Sequence, residues 1–284
     1  MIDLHVHSTF SDGSLTPEDL VSEACSAGLT AVALTDHDTT AGVPRFLKAA
    51  EGRPLRAIPG VEISADVKAG TMHMLGYFMD LETSSLNDQL KWIREGREMR
   101  NAEILEKLRK LGLSITWDEV KSYAGDDVVG RPQFAKALLA HGYARNWDDA
   151  FDRYLGKGKA AYAERRRLTP EDSIGLIVAA KGVPVLAHPF TLDLSADALR
   201  KMVGDLRAQG LQGMEVFYSE HTPEMQARYL QLTQEFGLVA TVGSDFHGSM
   251  TPDIKLGRGF GSLKIAVDIV DQLLARRGPA PAGR

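Results

Sequence analysis

Seven short apolar runs are spread over the two ends of this chain, with helix signals between most of them. Ile2–His7, Thr30–Thr35, Leu55–Ile63, Met72–Phe78, Val183–Ala187, Gly213–Tyr218 and Leu238–Val242 read as strands. Thr16-Pro17-Glu18 opens a helix, with Thr16 as N-cap and Pro17 at the first helical position, and that helix ends near Gly28. Ser195–Gln209, Thr222–Phe236 and Leu263–Arg276 read as further helices, and the Gly/Pro/Ala tail after the last is expected to fray. Parallel strands need crossovers, and helices supply them, so this alternation predicts an α/β fold with mainly parallel strands. Between Ser84 and Pro170 the strand signals stop. Leu90–Leu111 is charged and helical, and three shorter helical stretches follow. The expected organisation is a β/α body over residues 1–83 and 171–284, interrupted by a helical insertion over 84–170.

Charge divides the same way. The chain of 284 residues carries a net charge of −5. The insertion has 17 Lys+Arg against 13 Asp+Glu, and the rest has 16 against 25. A basic segment inside an acidic body marks a place for an anion and argues against a broad nucleic-acid-binding surface. The single cysteine, Cys25, excludes an internal disulfide. The first residues do not form a signal peptide, and no run approaches the roughly 18 apolar residues of a membrane span, so a cytoplasmic protein without a membrane partner is expected.

Six of the eight histidines fall in one kind of place. His5 and His7 lie two apart on the first strand and point to the same side. His37, His188 and His247 follow strands, and His73 begins or flanks one. Asp12 lies in the turn after the first strand, Glu62 ends the third, and Asp245 is two residues before His247. In a β/α barrel the rim at the C-terminal strand ends is where active sites form. Imidazole with carboxylate, and no thiolate, suits Zn²⁺, Mn²⁺ or Fe²⁺. Nine ligands exceed what one ion takes and fit two or three. Asp3, Asp36 and Asp38 are either further ligands or groups that orient the imidazoles. His141, just before Gly142, reads instead as a helix-end histidine.

DLHVHS with SDG, then LTDHDT, GVEIS, HMLGY, AHP and SDFHG, resemble in order and spacing the motif series of the PHP (polymerase and histidinol phosphatase) family. The resemblance implies a distorted (β/α)₇ barrel that binds two or three divalent metals and hydrolyses phosphate esters. It implies one ion on His5, His7, Glu62 and Asp245, and a second on the shared Glu62 with His73 and His188. A third would lie on Asp12, His37 and His247; many relatives have histidine where Asp12 stands. VVGRPQFAKALL, FDRYLGKGKAAY and EVFYSEHT resemble a narrower group, which includes phosphatases of 3′,5′-nucleotide bisphosphates and an RNA-trimming 5′ exonuclease. Gln133 stands where relatives often have histidine.

Phosphate-ester hydrolysis needs a metal-activated hydroxide, fixed cations and a proton for the leaving oxygen. Arg131, before Pro132 at a helix start, is the leading cation, with Lys157 and Lys159 beside it in sequence. Arg165–Arg167 read as a solvated or structural charge run. His221, after the strand ending at Tyr218, is the candidate for touching the phosphate or protonating the leaving group. The expected reaction removes the 3′-phosphate of a nucleoside 3′,5′-bisphosphate. The alternatives are 5′-to-3′ exonuclease action on short RNA 5′ ends and a histidinol-phosphate-type phosphatase. A C–N hydrolase would not need Arg131, and a regulatory module would not need so full a ligand set.

Overall fold

Thr-Pro-Glu recurs at Thr16, Thr169 and Thr222, and each time it starts a helix. The threonine hydroxyl accepts a backbone N–H three residues on, and proline occupies a position whose own N–H would go unused. Punctuated in this way, the chain lays down β1 (Ile2–Val6), α1 (Pro17–Ser26), β2 (Ala31–Leu34), α2 (Val43–Ala50), β3 (Arg56–Ala65) and β4 (Met72–Tyr77). Then come α3 (Ser84–Lys110), α4 (Trp117–Ser122), α5 (Arg131–Ala140) and α6 (Trp147–Ala150). Last are α7 (Pro170–Ala179), β5 (Val183–Leu186), α8 (Ala196–Ala208), β6 (Gly213–Tyr218), α9 (Pro223–Phe236), β7 (Val239–Gly243) and α10 (Ile269–Leu274). This is a computed structural model, and it describes residues 1–123, 129–261, 263 and 268–277. Residue 128 of the VVGRPQ stretch, positions 264–267 of the expected closing helix, and the tail from 278 lie outside these.

The chain divides into two compact units, Met1–Leu90 with Leu168–Arg284, and Lys91–Arg167. In the first, the strands lie side by side in sequence order. The seam between β1 and β7 is nearly closed. His7 N–H donates to Phe246 C=O at 3.0 Å, and Asp245 N–H donates to His5 C=O at 2.9 Å. The result is a nearly closed, distorted (β/α)₇ barrel, as expected. Leu4, Leu34, Phe46, Ile58 and Val185 are fully or almost fully buried. Each such side chain contributes roughly 1.5–3 kcal/mol.

Two strand readings need correction. β4 runs antiparallel to both β3 and β5. Residues 66–71 are too few for a crossover, so the chain can only turn back on itself. His73 therefore sits at the N-terminal end of its strand, and the reversal brings it to the rim with the others. Glu62 does not end β3, which continues to Ala65 because Gly60–Ala65 pair with β4.

The second unit is helical, packed around Ile104, Leu108, Val120, Phe134, Leu138 and Leu155. All three tryptophans of the chain, Trp92, Trp117 and Trp147, lie in it, and all are exposed. No helix among the described residues is long and apolar enough to cross a membrane.

Candidate metal centre

β1 presents His5 and His7 to one side, β3 presents Glu62 between them, and the segment after β7 brings in Asp245. His5 Nε2 lies 3.2 Å from Glu62 Oε2 and 3.4 Å from Asp245 Oδ1. His7 Nε2 lies 3.3 and 3.1 Å from the same two oxygens. Glu62 is the hub, for His37 Nδ1 is 3.0 Å from Oε2. His73 Nδ1 at 2.7 Å and His188 Nε2 at 3.0 Å meet Oε1. Asp12 takes His37 Nε2 at 3.4 Å and His247 Nε2 at 3.2 Å. All nine ligand candidates thus form one cluster. Three sets within it have ligand atoms mutually within 4.8 Å: His5, His7, Glu62 and Asp245; His7, Asp12, His37 and His247; His37, Glu62 and His73. His7, His37 and Glu62 are each shared by two sets.

Does this cluster fit metal ions? His5 Nε2, His7 Nε2, Asp12 Oδ1, His37 Nδ1, Glu62 Oε2 and Asp245 Oδ1 are buried with no hydrogen-bond partner among the described residues. Turning that many buried polar atoms toward one another without hydrogen bonds is costly, whereas divalent ions would satisfy all of them. The charge state agrees. Burial opposes ionisation of Glu62, but His37, His73 and His5 hold its carboxyl well below the usual range. Asp245, against burial, is held down by His5, His7 and His247. The cluster can bind metal.

The three uncertain aspartates build the frame. Asp36 accepts from Ser8 N–H, Ser8 Oγ and Ser11 Oγ, each at 2.7 Å, and so shapes the turn leading to Asp12. Asp3 accepts from Ser244 and Gly257 backbone N–H, and Asp38 from Ser64 N–H. His141 caps α5 and lies 2.9 Å from Glu119, away from these clusters in role as in sequence.

His221 is buried but stands outside the cluster, ringed by Phe190, Tyr218 and Tyr229. Its Nδ1–H donates to Val216 C=O at 2.8 Å, and its Nε2 has no partner among the described residues. Burial pulls its pKa below the ordinary histidine value. Two residues that sequence reasoning missed stand behind the ligands. Glu215 is fully buried, with Oε1 3.2 Å from His5 Nδ1. Tyr218 donates its hydroxyl to Asp245 Oδ2 at 2.8 Å. A glutamate inside a strand of apolar residues was the available signal for the first.

The inserted unit carries its own cluster. Arg131 opens α5, half-buried, with Nη1 3.3 Å from Leu155 C=O and its guanidinium 5.7 Å from the Tyr162 ring. Beside it Arg100, missed from sequence, is only 5% exposed, and its Nε has no hydrogen-bond partner among the described residues. Burial, with Arg97, Arg131 and Arg167 close by, pushes the Arg100 guanidinium down to about 9. Arg167 therefore belongs to the cluster, while Arg166 lies over the Trp92 ring at 5.5 Å. Lys157 and Lys159 are exposed. Gln133 accepts from Gly130 N–H at 2.9 Å and caps the start of its own helix.

A barrel with nine imidazole and carboxylate groups converging at its rim is the scaffold of a metal-dependent hydrolase. The chain belongs to the PHP family: the PHP domain signature matches residues 3–154. It is 36% identical over 258 residues to a 5′-3′ exoribonuclease, Rnm, of Salmonella typhimurium, covering 90% of this chain and 88% of that one. It is 34% identical over 247 residues to a 3′,5′-nucleoside bisphosphate phosphatase of Chromobacterium violaceum, covering 87% of each. A crystal structure from Bifidobacterium adolescentis, described as a metal-dependent phosphoesterase, superposes with a TM-score of 0.79 at 32% identity over 98% of this chain and 96% of that one. The protein is a metal-dependent phosphoesterase of this family.

Proposed function

We propose that this enzyme hydrolyses a phosphate monoester of a small nucleotide, the 3′-phosphate of a nucleoside 3′,5′-bisphosphate. The observation that carries the reading is Arg100. Its guanidinium is buried, with Nε lacking a hydrogen-bond partner among the described residues, and a phosphate would match its fork of donors. A nucleotide with two phosphates carries both an ester of the kind the imidazole–carboxylate cluster would hydrolyse and a further anion of the kind arginines bind. Binding energy from the second phosphate, remote from the reacting ester, raises kcat as well as lowering KM.

In this reading two or three divalent ions are held by His5, His7, Asp12, His37, Glu62, His73, His188, Asp245 and His247. Ions there would polarise the phosphoryl oxygens and lower the pKa of the attacking water. Mn²⁺, Zn²⁺ and Fe²⁺ all suit the donor set. Arg131 and Arg100 clamp the remote phosphate, and Lys157 and Lys159 add screening charge at its edge. His221, its Nδ1–H already engaged, works through Nε2, which accepts when neutral and, once protonated, donates to the leaving oxygen. The bisphosphatase from Chromobacterium violaceum supports the substrate class.

A second reading, 5′-3′ exoribonuclease, is favoured by the three exposed tryptophans of the inserted unit, which offer stacking faces for successive bases, and by the Salmonella relative. The deciding measurement is kcat/KM, with Mn²⁺ added, for a nucleoside 3′,5′-bisphosphate, a 5′-monophosphate and a short 5′-phosphorylated RNA in one buffer. The bisphosphate is expected to lead. If the RNA wins by about tenfold or more, a difference of roughly 1.4 kcal/mol, the exonuclease reading replaces this one.

A further inference from the structure

β6 contributes no described residue to the three ligand sets, yet it lies directly behind them. In the β6–β7 pairing, Glu215 faces Thr241 and Phe217 faces Val242. Two steps on β6 thus match one step on β7, and Val216 is an extra residue. In a regular strand, side chains alternate, so residues 215 and 218 would point to opposite faces. An extra residue shifts that parity, which is how β-bulges re-aim side chains next to active sites. Here Glu215 and Tyr218 both reach the ligand cluster.

We propose that the Val216 bulge makes β6 the positioning strand of the metal centre, with Glu215 and Tyr218 fixing which atom each ligand offers. Glu215 accepts from His5 Nδ1–H and so leaves His5 Nε2 bare on the side of Glu62 and Asp245. Its other oxygen accepts the backbone N–H of His188 at 2.8 Å. That bond matters because His188 sits at φ 20°, ψ 66°, a backbone conformation that persists only when its surroundings enforce it. One carboxylate therefore holds a ligand from each side of the Glu62 hub. Tyr218 occupies Asp245 Oδ2, which leaves Oδ1 as the free oxygen facing His5 and His7. Gly243, paired with Tyr218 across the ladder, allows the close approach: a Cβ there would stand 2.2 Å from His5 Cβ and 2.4 Å from Glu215 Oε1. His221 completes the device by donating to Val216 C=O, the carbonyl of the bulged residue.

This inference rests on the metal reading of the cluster, and one experiment separates the two. The full chain is stripped with chelator and titrated with Co²⁺, following visible absorption and calorimetry, for wild type, Tyr218→Phe and Glu215→Gln. Thermal melting of each metal-free form is recorded alongside. Orienting partners of metal ligands are worth about 10–100-fold in metal affinity. We expect a loss of about tenfold for Tyr218→Phe and nearer 100-fold for Glu215→Gln, with metal-free melting temperatures close to wild type. Should Glu215→Gln fail to fold, Tyr218→Phe, which deletes one oxygen, decides alone. If wild type takes up Co²⁺ and Tyr218→Phe binds it equally well, the positioning role is wrong. A lowered melting temperature with unchanged affinity overturns it too. If wild type takes up no Co²⁺, the metal reading itself fails.

Discussion

In the barrel unit a buried carboxylate, Glu62, is met by five imidazoles within 3.3 Å. In the inserted unit a buried guanidinium, Arg100, lies within the electrostatic reach of three more, those of Arg97, Arg131 and Arg167. The first arrangement turns carboxylate oxygens and imidazole nitrogens toward one another. The second gathers positive charge, with Arg100 Nε lacking a hydrogen-bond partner among the described residues and Glu164 near Arg131. In the first, six buried ligand atoms have no hydrogen-bond partner among the described residues, a deficit that ions would fill. The first suits divalent ions, and the second suits an anionic group.

The sharpest way to break this contrast is to remove the hub. Glu62→Gln should lower phosphate-release kcat/KM by about 10³-fold or more, the equivalent of several kcal/mol of lost charge stabilisation, and should empty the centre by elemental analysis. Wild-type metal content in that variant would show that the barrel deficit is not what binds ions. Next comes the arginine cluster. Arg131→Ala should cut kcat/KM for the bisphosphate by about 10²-fold, spare the monophosphate, and leave metal content intact. An equal loss on both substrates would place Arg131 outside any phosphate subsite.

Metal removal acts on the barrel alone. At 100 times its Kd an ion that binds only the folded state stabilises it by about 2.7 kcal/mol, so chelation should lower the barrel's melting temperature. Ion binding should also release protons. Although burial opposes it, the Asp245 and Glu62 carboxylates beside it hold His7 up at about 10 in the metal-free chain. An incoming ion must displace that proton, so affinity falls as pH falls. For the metal-free fold the sign is the reverse. The contribution of His7 is present below about 6.5 and is lost as pH rises through about 10. A pH indicator in weak buffer reads the release, and its absence would count against His7 as a ligand. The smallest effect is a cap: Thr169→Ala should cost about 1 kcal/mol, read by urea unfolding, without altering metal affinity.

The nine ligand candidates were legible because strand ends can be read from apolar runs and turn signals, and the rim is where those ends gather. His73 was found, but its strand direction was not, since six residues between β3 and β4 had to be recognised as a reversal. Glu215 and Tyr218 were hidden by the Val216 bulge, which breaks the period-two rule by which a strand's faces are read. Arg100 was hidden differently. It lies on α3 among Arg94, Arg97, Glu95 and Glu98, and nothing in that run of charges says which one is buried. The α5 start, by contrast, announced Arg131 through the proline beside it.

Glu62 sits mid-strand, with its N–H donating to Asp36 C=O, its C=O accepting from Asp38 N–H, and Leu75 paired across from it on β4. Its main chain is thus fastened from both flanks, and its two oxygens inherit a fixed separation. A metal centre built on Glu62 would be anchored to the main chain of β3. Such an anchor would act as a ruler, and a larger ion would have to be absorbed by the peripheral side chains, first of all Asp12 and His247 on their loops.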